Sequence, residues 1–261
     1  MITVGIDAGA ATTKVVVTRD GAVVGWKVVA SGFDFAEAAR RTYEDVLSSS
    51  GLSSDDVSSI CATGYGKDAI AFAHRTVSEI TAHARGVQHL RPGTTGIIDV
   101  GGQDSKVIAV SEGRVLDFLM NDKCAAGTGK FLEHSARALE VTVEELGRMA
   151  LRSANPAKIS SMCTVFAESE VISLRAKGRE REDIAAGLVQ SIAERVAVMA
   201  RRVGLKGEAV FVGGVAKNQG VKTALERELG LELFIPEEPQ ITGALGAALT
   251  PARPGRPGAR Q

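Results

Sequence analysis

The feature that most constrains the fold of this chain is an internal repeat with an offset of 92 residues. Segment 6–14 is Ile-Asp-Ala-Gly-Ala-Ala-Thr-Thr-Lys, and segment 98–106 is Ile-Asp-Val-Gly-Gly-Gln-Asp-Ser-Lys, with Asp, Gly and Lys in register. The turn Asp20-Gly21 falls on Glu112-Gly113 at the same offset. Because these features agree in one register, a strand–loop–strand–turn–strand unit has been used twice.

The repeat predicts an α/β chain with two related halves. We expect the first half at 1–93, the second at 94–250 and a disordered Pro/Gly/Arg tail at 251–261. The second half is predicted to be mostly helical, with a capping box at Thr142-x-x-Glu145. One face of a long predicted helix carries only apolar residues: Ile184, Leu188, Ile192, Val196, Met199 and Val203. Since aromatic residues make up only 4% of the chain, the core should be aliphatic.

Charge and hydropathy exclude several classes of function. The 31 basic residues balance 31 acidic ones, so no broad field gathers nucleic acid or an anionic membrane. The longest charge-free run, 239–252, is shorter than the roughly 18 residues that a membrane span requires. The first residues carry no basic, apolar leader pattern, so we expect a cytoplasmic protein. In that compartment the 3 cysteines are expected to be core residues, catalytic groups or ligands.

Each copy of the repeat ends a predicted strand with an aspartate and continues into a glycine-containing turn. Glycines let backbone N–H groups approach phosphate oxygens, and a carboxylate can hold hydrated Mg²⁺, so Asp7 and Asp99 predict a nucleotide site. Lys14 and Lys106 follow these aspartates and add positive charge. A third glycine turn, Gly213-Gly214, is suited to lie against a base or ribose.

Two further glycine segments resemble a P-loop only superficially. In 64–67 and 127–130 a lysine follows glycine, but the next residues are Asp68 and Phe131. Because a P-loop requires Gly-x-x-x-x-Gly-Lys-Ser/Thr, we reject a Walker-type site.

The cysteines indicate a metal site. Cys124 and Cys163 each lie just before a predicted helix, where unpaired N–H groups and the helix dipole stabilise a thiolate. Two thiolates cannot complete a tetrahedral or iron–sulfur site, which needs four ligands, whereas a symmetric dimer supplies four. Cys61 instead alternates like a strand core residue and is interpreted as packing.

The duplicated loops and the third glycine turn resemble the actin/Hsp70/sugar-kinase superfamily, in which two ribonuclease-H-like halves close over ATP. The segments 121–129, Asn-Asp-Lys-Cys-Ala-Ala-Gly-Thr-Gly, and 163–170, Cys-Thr-Val-Phe-Ala-Glu-Ser-Glu, resemble the activators of 2-hydroxyacyl-CoA dehydratases. These belong with the BadF/BadG/BcrA/BcrD-type ATPases, which include ATPase subunits of benzoyl-CoA reductase.

The resemblance implies a homodimer with one bridging [4Fe-4S] cluster held by Cys124 and Cys163 of each copy. It also implies that ATP hydrolysis with Mg²⁺ drives an electron, supplied by a ferredoxin or flavodoxin, to a dehydratase component. Asp7, Asp99, Gln103 and Asp104 would be catalytic, with Gln103 or Asp104 orienting the attacking water. The implied nucleotide-binding residues are Gly9, Thr13, Lys14, Gly101, Gly102, Lys106, Gly213, Gly214 and Asn218.

This chain departs from the family at Ala10 and Ala11, where Ser/Thr is usual, so hydroxyl contacts to phosphate are not expected there. Two other interpretations remain open. One is a small-molecule kinase of the same superfamily, acting on a sugar or a carboxylate. The other is an ATP-dependent scaffold with a bridging zinc ion.

Overall fold

Two five-stranded mixed sheets form the framework in the computed structural model, which describes residues 1–159 and 164–250. Contacts divide the described residues into two units: one contains residues 1–86 and 243–250, and the other contains the described residues of 87–242. Within the described residues, no helix combines the length and the apolar character needed to cross a membrane.

The sheet of the first unit has the order β3-β2-β1-β4-β5. Its strands are β1 (Ile2–Ala8), β2 (Thr12–Arg19), β3 (Ala22–Ala30), β4 (Val57–Thr63) and β5 (Arg75–Thr76). β1 is antiparallel to β2 and parallel to β4. The helices are α1 (Phe35–Ser49) and α2 (Glu79–Leu90).

The sheet of the second unit has the equivalent order, β8-β7-β6-β9-β10. Its strands are β6 (Gly96–Val100), β7 (Ser105–Ser111), β8 (Arg114–Asn121), β9 (Ala209–Val212) and β10 (Leu233–Phe234). The helices are α3 (Gly129–Ala138), α4 (Val143–Ala150), α5 (Thr164–Ala176), α6 (Arg181–Val203) and α7 (Gln219–Leu229). The last helix of the chain is α8 (Thr242–Ala248).

The duplication is confirmed in the details of the strands as well as in their order. The register between β2 and β3 shifts between Val17 and Thr18, and the register between β7 and β8 shifts at the equivalent Ala109 and Val110. In the turns that follow β2 and β7, Asp20 (φ 52°) and Glu112 (φ 49°) adopt the left-handed backbone conformation. The 92-residue offset therefore relates backbone conformations as well as residue types.

The predicted helical features of the second unit are also confirmed. All six apolar residues of the predicted α6 face are buried, and they join an aliphatic cluster that includes Phe131 and Phe211. The capping box forms as expected, with Glu145 N–H donating to Thr142 Oγ1 at 3.1 Å and Thr142 N–H donating to Glu145 Oε2 at 2.9 Å.

The division into units differs from the predicted boundary at residues 93 and 94. The first stretch of the first unit ends at Gly86, and residues 243–250, predicted for the second half, belong to the first unit. The backbone of α8 packs directly on Gly5 of β1, where a side chain would collide with Ala244. Glycine at 246 permits an equally close approach to Ala82 of α2. The predicted tail, 251–261, lies outside the described residues.

Candidate functional site: two aspartate–lysine loops and a cysteine turn

The first loop connects β1 to β2 and is built around an ion pair. Asp7 lies opposite Lys14 in the antiparallel register, and Lys14 Nζ is 3.0 Å from Asp7 Oδ2. The loop closes through the Gly9 N–H, which donates to Thr12 O at 3.1 Å. A Cβ at Gly9 would lie 2.9 Å from both Lys14 Nζ and Thr12 O. Glycine is therefore favoured here mainly by the close approach of the Thr12 carbonyl oxygen, which, unlike the lysine tip, cannot easily move away.

Thr13 supports this loop from the inside. Its hydroxyl is buried and lies 2.9 Å from Ser31 Oγ, which donates to Gly9 O at 2.6 Å. Because the single Ser31 hydrogen is used on Gly9, Ser31 must accept from Thr13. The hydroxyl of Thr13, which is predicted to bind the nucleotide, thus also takes part in the hydrogen bonds that hold the shape of the loop.

The second loop, between β6 and β7, repeats this geometry and adds a carboxylate. Lys106 Nζ lies 3.2 Å from Asp99 Oδ2 and 2.8 Å from Asp104 Oδ2. The Gly101 N–H donates to Asp104 O at 2.9 Å, as Gly9 does to Thr12 in the first loop. The Lys106 side chain is only 3% exposed. These three side chains together carry one net negative charge, which favours a cation at this loop.

The two residues predicted to orient a water molecule have different surroundings. Asp104 is buried and bound to Lys106, whereas Gln103 is exposed. Because Asp104 forms an ion pair with Lys106, its carboxylate holds the lysine side chain in place. Gln103 is the one of the two whose side chain is accessible from solvent.

Each aspartate is also contacted by a glycine that ends the neighbouring parallel strand. Gly213 follows β9 with φ of 86°, and a Cβ there would lie 2.5 Å from Asp99 Oδ1. Gly64 follows β4 with φ of 92°, and a Cβ there would lie 2.6 Å from Asp7 Oδ1. In the sequence, Gly64 stands out only as part of a segment that fails the P-loop match, and this position beside Asp7 was not predicted. The 92-residue offset could not have revealed it, because it carries Gly64 to Pro156 and not to Gly213.

Two residues of the predicted nucleoside loop have different surroundings: Gly214 is exposed, whereas the side chain of Asn218 is hydrogen-bonded within the fold. A Cβ at Gly214 would make only an ordinary contact, 3.5 Å from Gln240 Nε2. Asn218, by contrast, is buried and caps α7: its side chain accepts from Val221 N–H at 3.1 Å and donates to Val143 O at 2.8 Å. The fold therefore uses both ends of the Asn218 amide.

Cys124 lies on the turn that joins β8 to α3. Its thiol is free and partly exposed, and Thr128 precedes the first helical residue, Gly129. The Gly129 N–H donates to Gly101 O and the Lys130 N–H to Gly102 O, both at 2.8 Å. A Cβ at Gly129 would lie 3.1 Å from Gly101 O. The first N–H groups of α3, which lack partners within a helix, are thus satisfied by the second loop.

Of the other two cysteines, Cys61 is among the residues that the structure describes and Cys163 is not. Cys61 is 1% exposed on β4, burial raises the pKa of its thiol, and its interpretation as a core residue is confirmed. Cys163 lies outside the described residues. Across 1–159 and 164–250, no three His, Cys, Asp or Glu side chains are grouped as a metal site. The described part of the chain therefore offers one accessible thiol, which fits a cluster only when further ligands are added.

Comparison of the sequence with known proteins identifies a family and several relatives of this chain. Residues 4–250 match the BadF/BadG/BcrA/BcrD ATPase family. The chain is 45% identical over 251 residues to the 2-hydroxyisocaproyl-CoA dehydratase activator of Clostridioides difficile, spanning 95% of this chain and 94% of the relative. It is 44% identical over 249 residues to the (R)-2-hydroxyglutaryl-CoA dehydratase activating ATPase of Acidaminococcus fermentans, spanning 95% of each.

Solved structures agree on the fold. The activator of the 2-hydroxyisocaproyl-CoA dehydratase from Clostridium difficile with bound ADPNP has a TM-score of 0.90 at 45% identity, covering 95% of this chain and 93% of that chain. A ROK family glucokinase from Streptomyces griseus has a TM-score of 0.60 at 12% identity and shares the fold alone. The predicted duplicated ribonuclease-H-like architecture of the actin and sugar-kinase type is confirmed.

Proposed function

The chain belongs to the BadF/BadG/BcrA/BcrD ATPase family, and we propose that it hydrolyses ATP to drive electron transfer into a 2-hydroxyacyl-CoA dehydratase component. Relatives that match over nearly their whole length are named as activators of such dehydratases. A subunit of benzoyl-CoA reductase is more distant, at 32% identity. We therefore favour the dehydratase over the aromatic-ring reductase as the partner.

The observation that carries the ATPase proposal is the buried aspartate–lysine pair repeated in both units. Each pair joins strand ends at a glycine loop, with Lys14 on Asp7 and Lys106 on Asp99. In each loop the lysine charge is held within reach of incoming phosphate by a carboxylate that can also bind hydrated Mg²⁺.

The hydrogen bonds of the loops indicate which backbone groups serve phosphate. The N–H groups of Gly9 and Gly101 are used inside their own loops. We therefore assign phosphate binding to the N–H groups that follow them, those of Ala10 and Ala11 in the first loop and those of Gly102 and Gln103 in the second. The missing hydroxyls at positions 10 and 11 do not affect these donors. Gln103, being exposed, is our choice for the residue that orients the attacking water.

Cys124 and Cys163 are our proposed ligands for a [4Fe-4S] cluster, shared by two copies of the chain so that four thiolates are present. When bound, such a cluster supplies one-electron chemistry at low potential. The Cys124 turn leads directly into α3, whose first N–H groups contact the second loop at Gly101 and Gly102. A change of nucleotide at that loop would thus reach the Cys124 turn through two main-chain hydrogen bonds.

The electron donor follows from the one-electron chemistry of the proposed cluster, and the compartment follows from the free thiols of the chain. A ferredoxin or flavodoxin is a one-electron donor of suitable potential, and we propose one of these as the source. Cys61 and Cys124 are both free thiols, and free thiols persist in the reducing cytoplasm, where we place the protein.

A small-molecule kinase is the alternative within this fold. The glucokinase likeness, at 12% identity, concerns the fold alone, and a kinase assigns no role to the accessible Cys124. A zinc scaffold would use Cys124 but not redox chemistry. Incubation with ATP and a panel of sugars and carboxylates tests the kinase, and phosphorylated product without iron in the protein would replace our proposal.

The cluster is tested by anaerobic purification, with iron analysis and visible absorption. We expect about four irons per two chains, a brown colour that bleaches on reduction, and a dimer by size. Cys124→Ala should lose the iron, while Cys61→Ala, which alters a core thiol, should keep it. A colourless protein containing zinc, or a Cys124→Ala variant with full iron, would contradict the assignment.

The nucleotide site is tested separately. Asp99→Asn keeps the size of the side chain but removes its charge, and we expect Mg²⁺-ATP hydrolysis to fall about 10- to 100-fold with iron content unchanged. Asp117→Asn changes an exposed aspartate of the same unit and is the matched control. Equal turnover in the two variants would exclude Asp99 from the reaction.

A further inference from the structure

The turn that carries Cys124 is held by the side chain of Asn121. The Asn121 amide nitrogen donates to Cys124 O and to Ala126 O, each at 2.9 Å. An amide nitrogen carries two hydrogens, so each is used on one carbonyl. The two acceptors lie on either side of Ala125, and one side chain therefore fixes both halves of the turn.

The two ends of the turn are anchored independently. Asn121 is the last residue of β8, where its backbone pairs with Ser105 of β7. At the other end, Thr128 donates to Ala125 O through its N–H at 3.1 Å and its hydroxyl at 2.6 Å. Gly129 is then bound to the second loop. The amide of Asn121 thus connects the sheet to a segment whose far end is already fixed.

Between these anchors the turn has little else to order it. Ala126 is buried, but its side chain is a single methyl group; Ala125 is equally small, Gly127 has no side chain, and Lys123 is exposed. Such a segment cannot gain much order from apolar burial, so hydrogen bonds must determine its conformation.

We propose that Asn121 is a positioning residue for Cys124, fixing the direction in which the Cys124 thiol leaves the turn. A cluster ligand must be held near its bound geometry before the metal arrives, and outer partners commonly provide this. The part of this proposal that concerns cluster binding by Cys124 rests on the proposed function. The positioning of the thiol does not require a metal.

The geometry also explains why asparagine is needed. Aspartate has the same shape but offers only acceptors, which would face two carbonyl oxygens and repel them. Glutamine keeps both donors but places them one methylene further out. Alanine removes the donors and leaves both carbonyls without this partner.

The first test uses the metal-free, full-length protein. Iodoacetamide labelling is followed residue by residue through peptide mass spectrometry, with the buried Cys61 as the internal reference. We expect Asn121→Ala and Asn121→Asp to label Cys124 about tenfold faster, as expected for the loss of two hydrogen bonds, and Asn121→Gln to give an intermediate rate. Asn155→Asp, at an exposed site of the same unit, should match the wild type. Unchanged labelling of Cys124 in the Ala and Asp variants would overturn the proposal, and circular dichroism verifies that each variant is folded.

The second test uses iron-loaded protein and measures release of iron to a chelator together with the width of the EPR signal of the reduced form. Asn121→Ala should lose iron about tenfold faster and give a broader signal, while the ATPase rate of the metal-free variant stays at the wild-type value. If Asn121→Ala equals the wild type in iron release and in EPR width, the proposal that Asn121 positions Cys124 for the cluster is overturned. A wild type that takes up no iron would refute the proposed function, and the labelling experiment would still decide the positioning.

Discussion

Replacing Lys106 by methionine removes a positive charge that the structure places between Asp99 and Asp104. The lysine nitrogen lies 3.2 and 2.8 Å from these carboxylates, and its side chain is 3% exposed. Methionine fills a similar volume, so the loss concerns charge rather than packing. Two neighbouring buried carboxylates then repel each other without this cation.

Removing one partner of a buried ion pair costs about 3–5 kcal/mol. We expect Lys106→Met to lie in this range, because the lysine serves two carboxylates and water reaches neither easily. Lys14→Met is the matched variant: the same repeat position pairs with Asp7 alone, and its side chain is 15% exposed. Because Lys14 pairs with one carboxylate and is itself more exposed than Lys106, we expect a smaller cost, about 1–3 kcal/mol.

Urea unfolding of the two variants measures the difference. Trp26 on β3 is the only tryptophan of the chain, so its fluorescence reports the first unit, whereas circular dichroism reports both units. Lys106→Met should lower the unfolding free energy more than Lys14→Met. Adding Asp104→Asn to Lys106→Met should restore part of the loss by removing one carboxylate. Equal costs in the two single variants, or no recovery in the double variant, would refute the electrostatic reasoning.

Two further predictions concern other contacts. Gly213→Ala should reduce nucleotide affinity at least about tenfold, because its Cβ would lie 2.5 Å from Asp99 Oδ1. Gly51→Ala, also at positive φ but with nothing within 4 Å, should cost only the backbone strain of about 1–2 kcal/mol and leave affinity unchanged, as calorimetry can verify. Between pH 7 and pH 9, metal-free protein should be alkylated at Cys124 and not at Cys61, because burial both shields the Cys61 thiol and raises its pKa, which keeps it protonated as the pH rises. Labelling of both at equal rates in folded protein would contradict this.

Much of the candidate site could be predicted because it lies on short stretches of chain. Asp7 and Lys14 occupy two strands joined by a tight loop, and their pairing follows from the loop length and the alternation of the strands. The same holds for Asp99 and Lys106. Comparing the two copies turned a weak local pattern into the prediction of two glycine loops that each carry an aspartate and a lysine, although the direct ion pairs were not predicted. The separation of Cys61, a core residue, from the accessible Cys124 was likewise visible in their local sequence.

Other parts of the site depend on segments that are distant in the chain. Gly64 contacts Asp7 only because β4 pairs in parallel with β1, and nothing near Gly64 in the sequence indicates that partner. Nucleoside binding by Asn218 stays a prediction, and the sequence did not indicate that its amide links α7 to Val143, 75 residues earlier in the chain.

The sequence by itself thus determined the repeat, the class of fold, the presence of an aspartate and a lysine at each glycine loop, and the family resemblance. These depend on residue types at fixed short spacings, which a strand or a turn converts directly into geometry. Only the tertiary structure decided that α8 belongs with the first unit, that Lys106 is shared by two carboxylates, and that Asn121 holds the Cys124 turn. Such contacts depend on how close two backbones approach and in which direction a side chain points, and neither is set by the spacing of residues along the chain.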